Sequence, residues 1–417
     1  MHSLSYVSKI VWGPALLLLV LGTGAFLTVS TGFFPLRKIG FIIKNTFGRM
    51  RNKSAFAAAA TALGATVGTG NIIGVAAAIA LGGPGAVFWM WCGAFLGMML
   101  KFAEAALAVR YKGSAAVYIE KAFGGKTLSV IWCACCILAS FGGGNMIQTN
   151  AAGTIWKDTF GVPPIAIGAA VALLTAAVLF RGAKAVVNIS SLLVPFMAVL
   201  YVFGCIGVLF VFRQNIIPAF NSIVFSAFEP FALGGGITGI FVSEALRTGI
   251  SKGTFTHEAG MGSASAAHAE SKEKNPVVQG CWGIVEVFAD TILVCTITAL
   301  VILSSKENSC EGAFHFAYGF FGDAFLCISM FLFALAAVIG WAFYGEKAIG
   351  YMTENPLAKN IYRAVFCFAA IIGSFAKLPF VWCITDIFNG LMIFPNLAAI
   401  IALSPEIIRI TKEKPAR

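Results

Sequence analysis

Eleven stretches of about twenty apolar residues follow one another along this chain, at roughly 10–29, 55–80, 84–109, 127–151, 164–180, 186–212, 231–250, 277–304, 322–346, 360–379 and 381–404. An α-helix of that length crosses the ~30 Å hydrocarbon core of a bilayer. In hydrocarbon every backbone N–H and C=O must be paired within the structure, so the expected fold is an all-α polytopic membrane protein. Composition closes off the alternatives. Of the 417 residues 59% are hydrophobic and 11% charged, against roughly 25% charged in a soluble chain. Too little polar material remains to clothe a cytosolic enzyme, and a disordered chain would be far less apolar. The first stretch has only Lys9 before it and no small-residue cleavage site, so it reads as a span and not as a signal peptide.

The net charge of +11 resembles a nucleic-acid signature until its distribution is considered. Arg37, Lys38, Lys44, Arg49, Arg51 and Lys53 fill the loop after the first span, and every second loop thereafter is basic. Twenty-three of the 29 Lys and Arg fall on that side, five on the other, and Lys101 lies inside a span. By the positive-inside rule this places the N-terminus outside and the basic tail in the cytoplasm of the cell (inner) membrane. The bilayer is the expected partner; nucleic acid and an obligate protein partner are not. No GxxxxGK[ST] loop or HExxH pair occurs, and the loops are too short to house a large sensor domain. The four histidines supply no convergent catalytic set, so a membrane enzyme is not expected. Cysteines such as Cys133, Cys135 and Cys136 sit in apolar runs as packing residues, with Cys310 expected in an outer loop.

Four spans break the rules of a packed membrane helix. Span 2 carries Gly64-Ala65-Thr66-Val67-Gly68-Thr69-Gly70-Asn71 at mid-depth. Glycines weaken a helix there, and unwound backbone is tolerated in a membrane only where it is buried in protein or lines a cavity. Its freed N–H groups suit a carboxylate and its freed carbonyls an ammonium or a cation. Five spans later, span 7 carries Gly234, Gly235 and Gly236. Interruptions at matching places, an odd number of spans apart, point to an inverted repeat. The expected division is an N-terminal helix and basic loop (1–54), two five-helix repeats (55–213 and 214–404) and a basic tail (405–417). Span 4 sets Asn145, Gln148 and Thr149 on one helix face. Span 8 holds Glu286 and Asp290 one turn apart, where two carboxylates cannot both ionise cheaply and are expected to share a proton or sit near a cation. Trp341 near the end of span 9 suits an interfacial belt, and Lys101 with Glu104 reads as a capping ion pair at the cytoplasmic end of span 3.

GTGNIIGVAAAIALGGPGAVFWMW (68–91), FGGGNMIQTN (141–150), EAGMGSASAAHA (258–269), IGWAFYGE (339–346) and DIFNGLMIFPNLAAI (386–400) resemble the alanine or glycine:cation symporter family, of the amino acid-polyamine-cation superfamily. The resemblance covers nearly the whole chain in order. It implies the leucine-transporter type of fold, alternating access, and cation-driven uptake of a small neutral amino acid. It also implies roles. Backbone N–H groups at Thr69 and Gly70 would meet the substrate carboxylate and a carbonyl near Thr66 its ammonium, with Gly68, Asn71, Gly234, Gly235 and Gly236 also in the substrate site. Gln148 would look out on the substrate, and Trp341 would wall the pocket, which displaces the belt reading. The fold's second sodium site would draw on carbonyls of Gly64, Val67 and Phe333 and on two hydroxyls of span 9. Here those two positions are Ala336 and Ala337, while Glu286 stands where the family usually has glycine. The co-transported ion is therefore expected to be sodium or a proton, no cofactor is expected, and a proton-coupled or cation-independent carrier is the alternative.

Overall fold

Runs of Ala, Leu, Val and Phe without interior charge form helices because each helix pairs its own amides. The computed structural model describes residues 6–7, 10–49, 53–228 and 244–412, and these form helices with no strand among them. α1 is Pro14–Ser30. α2 (Lys53–Thr66) and α3 (Gly70–Gly82) meet at a 54° bend. α4 is Gly85–Tyr111, α5 Ala115–Phe123, α6 Thr127–Phe160, α7 Pro164–Leu179 and α8 Ala183–Val211. The second half brings α9 (Ile216–Ser226), α10 (Glu244–His257), the single turn α11 (Ser265–His268) and α12 (Pro276–Ser305). α13 (Cys310–Tyr318), α14 (Phe320–Met352), α15 (Pro356–Gly373), α16 (Leu378–Ala402) and α17 (Ser404–Lys412) complete it.

Among the described residues seven helices are long and apolar enough to cross a bilayer, and α2 with α3 makes an eighth, bent span. α1 and α7 are apolar but shorter. The glycines 234–236 of span 7 lie outside the described residues. Some expectations shift: α6 continues to Phe160, well past residue 151, and Cys310 opens α13 as a fully buried residue beside Tyr201.

α4 sits at the centre, with α1, α10 and α12 packed on it. Small residues permit this: a Cβ on Gly249 of α10 would lie 2.3 Å from the Ala86 carbonyl oxygen, and one on Gly283 of α12 would lie 2.6 Å from that of Lys101. Close backbone approach of this kind is how membrane helices gain packing energy without a hydrophobic driving force. α14 packs against α2, α6, α7 and α8 and forms the opposite wall. The outer faces are apolar. Leu192, Phe196, Phe203 and Phe210 of α8 are all exposed, and their four- and seven-residue spacing makes one lipid-facing stripe.

Candidate functional site

The bend between α2 and α3 leaves Val67, Gly68 and Thr69 outside regular helix, and α3 restarts with a widened turn over Gly70–Gly74. The freed groups are satisfied by side chains. Gly68 N–H donates to Asn71 Oδ1 (2.9 Å), and Thr69 donates through both N–H (2.9 Å) and Oγ1 (2.8 Å) to Gln148 Oε1. Gln148 Nε2 in turn donates to the Gly143 carbonyl at 3.0 Å. The amide oxygen of Gln148 thus takes up both donors of Thr69, a residue to which the family resemblance assigns a substrate carboxylate. Asn145 and Thr149, on the same face in sequence, serve structure instead: Asn145 Nδ2 donates to the Phe366 carbonyl and Thr149 Oγ1 to that of Asn145.

A second break follows α10. Glu258, Gly260 and Gly262 have φ of +55°, +95° and +78°, a left-handed backbone that favours glycine. The sequence signal for this break was the Gly-x-Gly of EAGMGSASAAHA. What holds it open is Glu104 of α4. Its Oε1 accepts from Gly260 N–H (2.8 Å), Gly262 N–H (3.0 Å) and Asn396 Nδ2 (2.9 Å). Lys101, one turn earlier, donates to the His257 carbonyl at 3.0 Å. Both are fully buried. The reading of Lys101 and Glu104 as an end-of-helix ion pair is therefore corrected: they are the anchor of the second break.

The two breaks face each other across a cavity of about 10 Å³, lined by Ala65, Thr66, Gly70, Gly143, Gln148, Phe255, Thr256, Glu258, Trp341 and Asn389. That is room for about one water, so the site is closed in this arrangement. Trp341 is 4% exposed and packs so closely on α6 that a Cβ on Gly144 would lie 2.1 Å from its Cγ. Phe255, Thr256, Glu258 and Asn389 were missed as site residues in the sequence. Asn389 Oδ1 is buried without a hydrogen-bond partner, and its signal was an amide one turn after Thr385 and Asp386 in a largely apolar run.

The residues expected to hold a cation are also placed. Gly64 and Gly68 of the first break lie against Ala336 and Ala337 of α14: a Cβ on Gly68 would come 3.2 Å from that of Ala337, and one on Gly64 3.9 Å from that of Ala336. Two methyl groups thus stand where hydroxyl ligands are expected. Val67 and Phe333 are fully buried. The expectation that Glu286 and Asp290 share a proton is corrected. A widened turn over Phe288–Cys295 follows Glu286, and each carboxylate has its own partners. Asp290 accepts from Asn71 Nδ2 and Thr291 Oγ1, both at 2.8 Å. Glu286 lies instead against His268.

Two interrupted segments meeting around a closed polar cavity, inside a helical bundle with a lipid-facing exterior, are the layout of a secondary transporter that exposes its site alternately to each side. Solved structures agree on the fold: the chain superimposes on the MhsT transporter crystallised with L-phenylalanine with a TM-score of 0.59 at 15% identity, covering 85% of this chain and 97% of that one. The fold class is therefore that of the leucine-transporter-type carriers. The chain belongs to the sodium:alanine symporter family, whose model matches residues 1–414. It is 38% identical to the sodium/alanine symporter AgcS of Methanococcus maripaludis, covering 97% of this chain and 95% of that protein. It is also 38% identical to an uncharacterised transporter of Haemophilus influenzae, over 98% and 95%. It is thus a multi-pass membrane protein of a family of cation-coupled amino-acid symporters.

Proposed function

We propose that the protein takes up a small neutral amino acid, alanine or glycine, by cation-coupled symport across the cell's inner membrane. The observation that carries this reading is the cavity between the two breaks. Its lining brings Thr66, Gly70 and Gln148 together; in this reading the backbone N–H groups of Gly70 and of Thr69, the latter held by Gln148 Oε1 in this arrangement, meet the carboxylate, and a carbonyl near Thr66 meets the ammonium. The bulk of Trp341 leaves little space for a side chain. The name of the relative from Methanococcus maripaludis, a sodium/alanine symporter, supports the same substrate. In this reading the N-terminus is outside and the C-terminus cytoplasmic. Eleven spans comprise one extra N-terminal helix and two inverted five-helix repeats, 55–213 and 214–404. The alternative is proton coupling, or none, and the methyl groups of Ala336 and Ala337 favour it, since they offer sodium no ligand.

Uptake of labelled alanine and glycine into proteoliposomes, under separately imposed sodium and proton gradients, tests both readings. Accumulation of either amino acid against its gradient is expected; transport of neither would end the proposal. Trp341→Ala is expected to admit leucine or methionine, which the unmodified protein excludes. Competition against labelled alanine reads this out, and unchanged selectivity would remove Trp341 from the pocket wall. Ala337→Thr restores one oxygen beside Gly68 and is expected to increase stimulation by sodium. No change in sodium dependence would place the cation elsewhere.

A further inference from the structure

Most polar side chains that line the amino-acid cavity already have partners. Gln148 holds Thr69 and Gly143, Thr66 and Thr256 donate to the carbonyls of Leu63 and Gly253, and Glu258 accepts from Ser263. Asn389 differs. Its Oδ1 is buried and has no hydrogen-bond partner among the described residues. The residue is 2% exposed and stands in the middle of α16. An unpaired amide oxygen buried in a membrane span is costly, and native structures pair the large majority of such atoms. This one belongs to the wall of a cavity with room for about one water.

Its place decides which part of a substrate it meets. In the reading above, the carboxylate and ammonium lie at the first break, by Gly70 and Thr66. Phe255 reaches from there to α6: its Cε1 is 3.3 Å from where a Cβ on Gly70 would be, and its Cε2 3.5 Å from where one on Gly143 would be. Asn389 is at the Gly143 end, with Nδ2 3.7 Å from that same point. Trp341, the wall for the substrate's side chain, packs on the next residue, Gly144. Thr385, one turn before Asn389, is set equally close, with Cγ2 2.6 Å from the Gly143 position. The glycines of α6 thus let α14 and α16 close in on one end of the cavity, and that end carries Asn389.

An acceptor at the side-chain end calls for a donor on the side chain. Alanine and glycine have none. Serine has one, and it exceeds alanine by a single oxygen, which is about the space that a water takes. Larger donors, such as a carboxamide, meet Trp341 first.

We propose that Asn389 is a specificity-determining residue that reads a hydroxyl on the substrate's side chain, and that small hydroxyamino acids such as serine are substrates of this carrier. The inference rests on the symporter reading above and extends its substrate class. The serine O–H donates to Asn389 Oδ1. In α-aminobutyrate a methyl replaces that hydroxyl, leaves Oδ1 unpaired and displaces the water that would otherwise serve it. A site that hydrogen-bonds a hydroxyl rejects the analogue that lacks it, here by roughly five-fold or more for one buried acceptor left unpaired.

The test uses the purified full-length protein in detergent with sodium present. The concentration that half-saturates thermal stabilisation is measured for glycine, alanine, serine and α-aminobutyrate. Serine should half-saturate at a concentration roughly five-fold or more below that of α-aminobutyrate. Asn389→Leu, of nearly the same volume, should bring these two ligands to the same affinity. Labelled serine should also enter proteoliposomes and compete with alanine. Equal affinity for serine and α-aminobutyrate in the unmodified protein overturns the proposal without recourse to a variant. A folded Asn389→Leu protein that keeps the preference for serine overturns it too. If alanine and glycine bind but the serine preference is absent, this inference alone falls. If none of the amino acids binds, the symporter reading fails and this inference falls with it.

Discussion

Gly68→Val should abolish alanine uptake while leaving the amount of protein in the membrane unchanged. A Cβ at this position would lie 2.8 Å from Gln148 Oε1 and 3.2 Å from the Ala337 Cβ. The two further methyls of valine have nowhere to go, because Ala337 belongs to a continuous 33-residue helix. Overpacking of this kind costs about 1–3 kcal/mol, which a membrane protein of this size can bear. Function cannot bear it, since the same displacement moves Thr69 N–H and Oγ1 away from their acceptor. Gly22→Ala is the matched control: nothing lies within 4 Å of a Cβ there, and uptake should be unaffected. Full activity in Gly68→Val, measured as uptake per molecule in the membrane, would mean the first break takes no part in transport.

The first break was legible in the sequence and the break at 258–264 was not, for one physical reason. Residues 66–70 lie between long apolar runs, so their glycines are conspicuous. Residues 258–264 begin with Glu258 and follow Arg247, Lys252 and His257, a polar stretch that looks like a cytoplasmic loop. Hydropathy places such a stretch outside the membrane unless its charges are known to be satisfied. Glu104 and Lys101 satisfy the backbone there, from about 155 residues away in sequence. Local pattern has no access to that pairing. The same limit applies to Glu286. Helical spacing put it beside Asp290, but the widened turn at Phe288–Cys295 and the fold around His268 gave it another partner. Trp341 and Gln148 were placed through the family resemblance, and the structure brings both to the cavity.

Glu104→Ala should be among the most destabilising single changes in the membrane core. One carboxylate oxygen serves three buried donors, Gly260 N–H, Gly262 N–H and Asn396 Nδ2. Lys101 is close enough for its charge to act on Glu104, and its ammonium would remain buried without that counter-charge. Leaving a buried charge uncompensated costs about 3–5 kcal/mol. Thermal unfolding in detergent, followed by tryptophan fluorescence, should show a marked fall in midpoint for Glu104→Ala. Glu104→Gln keeps an acceptor for at least one N–H but loses the charge, so its fall should be smaller. The decisive member of the series is Lys101→Met combined with Glu104→Ala. If the penalty is largely the stranded ammonium, the double variant should be more stable than Glu104→Ala alone. If it is largely the unpaired N–H groups of the second break, the double variant should gain nothing. Transport separates the consequences further: a double variant that regains stability without regaining uptake would show that Glu104 shapes the break as well as balancing Lys101. A Glu104→Ala protein as stable as the unmodified one would remove Glu104 as the anchor of that segment.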